Sequence, residues 1–534
     1  MRGPWLGLVV ALTFGASAFA RDAPKDSALP VSARAPLTLP ADFEAKLDAF
    51  AAHGLDDWKI PGFAVAVVHE GHVVYRRGFG ERTLGGADPD PVDADTLFGI
   101  MSTTKAMTSM ALAMLVDEGK VAWDDPVTKH LPWFALEDSY ATRAVTVRDL
   151  LRHNAGVPNA DWLWLRGDLD TRQIIERLRK LPAAYSLRDG FIYQNVMYQV
   201  AGEIVATASG MTWAQFVTAR IFQPLGMTRS YATLTAMRAA QPENVSTPHF
   251  EIDERIREIV DVPVDPIPAA GSVWSTANDM ARWMAFLLDG GQVDGRVLVK
   301  PDTFRELFDS QAIVPADEFY PTLALTRPHF MTYGLGWFLQ DYRGEFVAMH
   351  TGSMDGRTAI VGLLPDRRFG IVVLGNLDHA EFRHALMWQA FDQALGGGTR
   401  DWSADLLTLY GDAKRKAVAA RAEQVAKRVR GTRPSKALSA YAGVYEHPVW
   451  GDIVIETRDN RLALRSGTSV DTQGPLEHWH YDTFEVRAGD GRAGSWPVTF
   501  ALDAGGEIDS LSLFGDRTAY RFVRKRVPDH APVP

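Results

Sequence analysis

Apolar positions along the chain follow two rhythms. Phe63 to Val68 and His72 to Arg76 are β-rich runs separated by Glu70-Gly71, which predicts a hairpin. From Ser102 to Glu118 the pattern becomes helical, with Gly119 placed to end the helix in a left-handed conformation. The runs Gly334 to Gln340, Phe346 to Thr351, Thr358 to Leu364 and Gly370 to Leu374 alternate with Asp341, Arg343-Gly344 and Pro365-Asp366. They predict an antiparallel meander, with a further helix starting near Glu381. The fold class that follows is α+β, an antiparallel sheet flanked by helices whose first hairpin comes from the N-terminal end.

Between Gly396 and Lys436 the chain turns charged and alanine-rich before Thr432-Arg433-Pro434, the mark of a helical linker. Beyond it Gly451 to Thr457, Arg461 to Arg465, Thr483 to Arg487, Val498 to Asp503, Ser510 to Phe514 and Ala519 to Arg524 are short strands, with turns at Asp459-Asn460 and Gly505-Gly506. A small all-β barrel or sandwich is expected there. At the other end, Met1-Arg2, the apolar stretch Trp5 to Gly15 and Ala18-Phe19-Ala20 have the order of a cleavable export signal; a retained membrane anchor is the competing reading, against which the apolar run is short for a span and ends in small residues. The expected layout is a signal peptide at 1–20, a loose lead-in at 21–40, a first domain at 41–395, a helical linker at 396–436 and a β-domain at 437–527. A periplasmic or secreted protein follows, with no membrane span after cleavage.

Composition narrows the chemistry. Cysteine is absent, which removes disulfides, thiolate nucleophiles and cysteine-ligated metals. A formal net charge of -10 argues against a nucleic-acid partner, and the basic run around Lys414-Arg415-Lys416 has the spacing of a solvated helix.

The helix beginning at Ser102 is the most informative segment. From Ser102 to Val116 its only charged residue is Lys105, so the helix reads as buried all round. Burial favours a neutral amine and lowers its pKa, turning an inert ammonium into a base. Ser102 stands three residues earlier, within side-chain reach and at the end of the helix where free N–H groups favour negative charge. A capping serine followed by a snorkelling lysine is the competing reading, and it calls for a polar face that this helix lacks.

The run Thr96-Leu97-Phe98-Gly99-Ile100-Met101-Ser102-Thr103-Thr104-Lys105 resembles the active-site entry of serine β-lactamases, penicillin-binding DD-peptidases and related esterases. Tyr193-Gln194-Asn195 resembles the second motif of the class C branch, and His350-Thr351-Gly352 the third; Tyr193 and Asn195 stand two apart in a run that reads as extended, so both should project to one side. Val147 to Gly156, Pro224-Leu225-Gly226-Met227 and Tyr333 to Trp337 flank them in the same order. The resemblance spans about residues 45 to 390, and the region after Ser435 resembles the lipocalin-like β-domains found behind such catalytic domains. It implies an exported serine hydrolase with an acyl-enzyme on Ser102, with Lys105 and Tyr193 moving protons and Asn195, His350, Thr351 and Gly352 contacting a small-molecule or peptide substrate. The backbone N–H groups of Ser102 and Ser353 would form the oxyanion hole, and no cofactor is required.

One departure leaves the substrate open. Where β-lactamases and DD-peptidases usually carry lysine this chain has His350, a variant seen in D-aminopeptidase-like and esterase-like relatives. A peptide or amide with D-residues, an ester, a β-lactam and a cell-wall stem peptide all stay in view, as does a non-catalytic acyl sensor or binding protein. An imidazole is only fractionally charged near neutral pH, so carboxylate-bearing substrates should be poor; alternatively, His350 packs in its strand without touching substrate. The histidine pairs His69/His72 and His478/His480 read as hairpin and strand residues rather than metal ligands. Oligomeric state is open at this stage.

Overall fold

Phe63, Val65 and Val67 join one buried cluster while Ala64, Ala66 and Val68 join another. Side chains alternate across a strand, so β1 (Gly62–His69) has apolar packing on both faces. That is unusual for an antiparallel sheet, which commonly leaves one face to water. Here helices cover both. The computed structural model describes residues 37–86, 90–378, 380–492, 494–514 and 520–526; the leader read at 1–20 lies outside them, as does the lead-in up to residue 36.

The hairpin partner is β2 (His72–Gly80), and the turn places Glu70 and Gly71 at φ 50° and 79°, both left-handed, as a two-residue hairpin matched to strand twist demands. The sheet continues with β3 (Ala312–Ile313), β4 (Met331–Tyr333), β5 (Phe338–Tyr342), β6 (Glu345–Met354), β7 (Arg357–Leu364) and β8 (Phe369–Gly375). Its eight strands run in the order β2-β1-β8-β7-β6-β5-β4-β3, so the N-terminal hairpin joins the C-terminal edge of the meander by pairing Phe63 with Gly375. The run expected as one strand from Gly334 to Gln340 is instead a turn plus β5. Gly336, at φ 91°, reverses the chain there, and an added Cβ would meet Ser109 Oγ at 2.9 Å and Ala106 at 3.1 Å.

Helix α1 (Phe43–Asp57) covers the face carrying Phe63 and Val65, together with a later helix at Phe382–Ala394. The other face packs against α2 (Thr104–Asp117), α3 (Asn195–Ser209) and α4 (Ala277–Leu288). The helix at Phe382–Ala394 is α5, and α6 (Trp402–Ala426) follows as the linker helix. Its first turn buries Trp402, whose indole N–H donates to Asp392 at 2.8 Å, while its remaining length is mostly exposed.

The C-terminal region is a closed barrel of β9 (Gly443–His447), β10 (Gly451–Arg458), β11 (Arg461–Arg465), β12 (Gln473–His480), β13 (Thr483–Arg487), β14 (Ser495–Leu502), β15 (Ile508–Leu513) and β16 (Arg521–Arg524). Closure requires β9, for which the sequence reading had no strand, and β12, of which it marked only His478 to His480. The barrel docks on the first domain through Arg166, which is buried. Its guanidinium donates to the carbonyl of Trp450, to that of Asp452 at 3.2 Å and to Ser466 Oγ at 3.3 Å, and pairs with Asp168 at 2.7 Å. The Arg166 carbonyl in turn accepts from the N–H groups of Thr468 and Ser469 at 2.8 and 2.9 Å. Truncating this side chain strips the hydrogen bonds from buried carbonyls and leaves Asp168 without its guanidinium. Arg166→Ala should therefore lower stability by about 3 kcal/mol, read as a fall in the thermal unfolding midpoint; an unchanged midpoint would show that the barrel is held by other contacts.

Candidate active site

Ser102 is held in place by a strained approach. Ile100 N–H donates to Val273 O at 2.9 Å, Met101 then takes φ 46°, and Met101–Thr103 form a 3-10 turn that feeds into α2. A left-handed methionine costs on the order of 1 kcal/mol, so the surroundings must impose it. They include β6, where an added Cβ on Gly352 would lie 2.2 Å from Ile100 O and 3.0 Å from Ser102 N. Only a glycine lets the strand approach so closely. Strand β5 pairs with β6 only from Glu345 to Met349, so residues 350–354 overhang it as an edge beside the Ser102 turn. Ser353 lies on that overhang, one residue beyond Gly352.

Lys105, on the first turn of α2, has 0% exposure. Its Nζ lies 3.0 Å from Ser102 Oγ, 2.7 Å from Asn195 Oδ1 and 2.9 Å from Ala270 O. Two tyrosine rings enclose it, with centroids at 4.8 Å for Tyr193 and 5.3 Å for Tyr198. Burial pulls its pKa down to about 7, against an opposing pull from the Asp161 carboxylate. At neutral pH the amine and the ammonium are thus both populated.

Tyr193 behaves differently. Burial pushes its phenol well above 10, and the hydrogen bond with Ser102 brings it only partly back, so it stays protonated where Lys105 titrates. Tyr193 and Asn195 were expected to share an extended stretch, but Asn195 is the first residue of α3, behind Gln194, whose side chain accepts from Val196 N–H. The helix start brings the Asn195 amide onto Lys105. Its Nδ2 donates to both oxygens of Asp161, at 3.0 and 3.1 Å, which engages one of the two amide N–H groups.

His350 also differs from its expected role. The ring has 1% exposure, with Nδ1–H donating to Thr351 O at 2.7 Å and Nε2 accepting from Tyr333 OH at 2.9 Å. Both nitrogens are occupied by the protein. Burial, with Lys105 nearby, lowers its pKa to about 3, and a neutral, enclosed imidazole is a packing group rather than a substrate anchor. The Thr351 hydroxyl meets Tyr320 OH at 2.8 Å.

Four residues complete the site without having been singled out from sequence. His153, left-handed at φ 61°, lays its ring 4.3 Å from that of Tyr193, and burial keeps it neutral. Its place in the Val147 to Gly156 run was the available signal. Arg383 on α5 lies buried under β6, donating to the carbonyl of Gly352 and to Ser353 Oγ at 2.8 Å while paired with Glu381 at 3.2 Å. Tyr320 and Asp161 come from loops with no motif of their own. Among the described residues, no group of His, Cys, Asp or Glu could hold a metal ion.

The barrel reaches both sides of this site. Trp162, next to Asp161, meets Phe514 and Trp496 edge-on at 5.8 and 6.3 Å, and Arg492 pairs at 3.3 Å with Asp355, two residues beyond Ser353. Because Gly352 sets the spacing between β6 and Ser102, Gly352→Ala should slow labelling of Ser102 by a serine-directed acylating probe on the order of a hundredfold, as expected for a displacement of about 1 Å. Labelling at the wild-type rate would show that this contact does not set the geometry.

Comparison with known proteins gives the family of the fold that carries this site. A β-lactamase family model matches residues 47–395, and a domain of unknown function, DUF3471, matches 427–525. The chain is 28% identical over 511 residues to the unguisins hydrolase ungD of Aspergillus violaceofuscus, covering 89% of this chain and 88% of the relative. It is 24% identical over 390 residues to protein flp of Staphylococcus aureus, covering 70% of each. The octameric penicillin-binding protein homologue of Pyrococcus abyssi superposes with a TM-score of 0.59 at 23% identity, over 90% of this chain and 99% of that one. With the family model spanning most of the chain and the same fold in a penicillin-binding protein homologue, this protein belongs to the β-lactamase family.

Proposed function

We propose that the protein is an exported serine hydrolase that cleaves amide or ester bonds through an acyl-enzyme on Ser102. The observation that carries this is the contact of 3.0 Å between Ser102 Oγ and a fully buried lysine whose pKa lies near 7. A neutral amine has two N–H donors and one lone pair. With the donors given to Asn195 Oδ1 and Ala270 O, the lone pair is left to accept the Ser102 proton. Oγ then forms the bond to the acyl carbon, and the oxyanion is received by the N–H groups of Ser102 and Ser353. Collapse breaks the bond to the leaving nitrogen or oxygen. Tyr193, still a phenol, donates its proton to the departing atom and is reprotonated from Lys105. Water later attacks the ester by the same route reversed.

The neutral, enclosed His350 offers no cation to a substrate carboxylate, which supports uncharged amides, including those of D-amino acids, and esters over β-lactams and stem peptides with a free C-terminus. Relatives named as unguisins hydrolases support turnover over a sensor that acylates once. Export rests on the leader in the sequence; among the described residues no helix is long and apolar enough to cross a membrane.

Ser102→Ala should abolish turnover with the fold intact, and Lys105→Ala and Tyr193→Phe should each cost about two orders of magnitude or more, with a double variant far from multiplicative. The pH profile has a definite sign. Only the neutral amine accepts a proton, so kcat/KM for an ester should rise with pH through about 7 and flatten above it. A profile flat between about pH 5 and 9, or normal turnover in Ser102→Ala, would contradict the mechanism.

A further inference from the structure

A carboxylate beside a base that must lose its proton needs a reason. Asp161 stands at the start of a short turn of helix, Trp162–Leu165, and its carboxylate accepts hydrogen bonds from three side chains. Trp164 Nε1–H donates to Oδ1 at 2.9 Å, Asn159 Nδ2–H to Oδ2 at 3.1 Å, and Asn195 Nδ2–H to both. An asparagine amide has a donor end and an acceptor end, and its neighbours decide which way it points. With the donor end fixed on a carboxylate, the acceptor end must face Lys105.

We infer that Asp161 is a positioning residue for the reaction, orienting Asn195 so that its oxygen takes one Lys105 N–H and leaves the amine lone pair directed at Ser102, with its own negative charge one amide away from that amine. The inference rests on Lys105 being the base. Two effects combine in it. Orientation comes from the hydrogen-bond chain Asp161, Asn195, Lys105, Ser102. Charge matters because burial alone would drive Lys105 lower, and Asp161 is the carboxylate that opposes it. The other groups around the amine do not play this part. Tyr193 and Tyr198 on the α3 side and Tyr333 on β4 have their phenols raised and are uncharged, and His153 and His350 are neutral through burial. The Arg383 charge is taken up by Glu381 beneath β6. Removing the Asp161 charge should therefore make the ammonium easier to deprotonate, an effect opposite to ordinary damage of a catalytic site.

The test is the pH dependence of Ser102 labelling by a neutral acylating ester in Asp161→Asn, Asp161→Ser and Asp161→Glu, each with its unfolding midpoint. The neutral variants should move the acid limb to lower pH by about one unit, since an opposite charge one amide away acts at the low end of such effects. Asp161→Glu, which keeps the charge, should retain the wild-type limb. A limb unmoved in whichever neutral variant folds, with Lys105→Ala still abolishing labelling, overturns the role of Asp161 alone. Labelling of Lys105→Ala at the wild-type rate overturns the reading of Lys105 itself, and this inference falls with it.

Discussion

A primary amine with no exposure to water is the constraint on which the rest of this structure depends. Taking an ammonium out of water is expensive, and a protein tolerates it only by supplying hydrogen bonds or by letting the proton go. Here both occur. Three oxygens surround Lys105 Nζ, and two aromatic rings cover it, while no carboxylate among the described residues pairs with it directly. The result is a group balanced between charge states, which ordinary ion pairing would have fixed as a cation.

That balance explains much of the architecture around it. Helix α2 is apolar on every side, so it lies between the sheet and α3 and carries Lys105 into the interior. Helix α3 begins where Asn195 is needed, and β6 outruns β5 so that its edge meets the Ser102 turn. The buried Arg383 ties that edge to α5. The barrel contacts the loop of Asp161 through Trp162 and the loop after Ser353 through Asp355. A domain outside the chemical centre thereby contacts loops on both of its flanks.

What the sequence disclosed follows from how local each signal is. A lone lysine in an otherwise uncharged helix reports its burial through spacing alone, and a Glu-Gly pair between β-rich runs reports a hairpin. Asn195 was misplaced on an extended stretch because two residues beside an aromatic run do not reveal that a helix starts between them. Strand β9 escaped notice because Gly443-Val-Tyr-Glu-His447 carries little alternation, and only barrel closure accounts for it. His350 looked like a substrate contact because motif position fixes where a residue stands, whereas its hydrogen bond with Tyr333 depends on a pairing 17 residues away in the chain. Asp161 and Arg383 act across still longer separations, of 34 residues to Asn195 and 30 to Ser353. Nothing near them in sequence records those partners.

Proton exchange by Lys105 near neutrality can be read in an NMR titration of the lysine side-chain resonances, with Lys105 assigned by comparison with Lys105→Ala. One lysine should titrate near pH 7, far from the value of about 10.4 of an unperturbed lysine. If the Lys105 signal titrates with the others above about pH 10, the amine is a permanent cation in the neutral range and cannot be the base for Ser102.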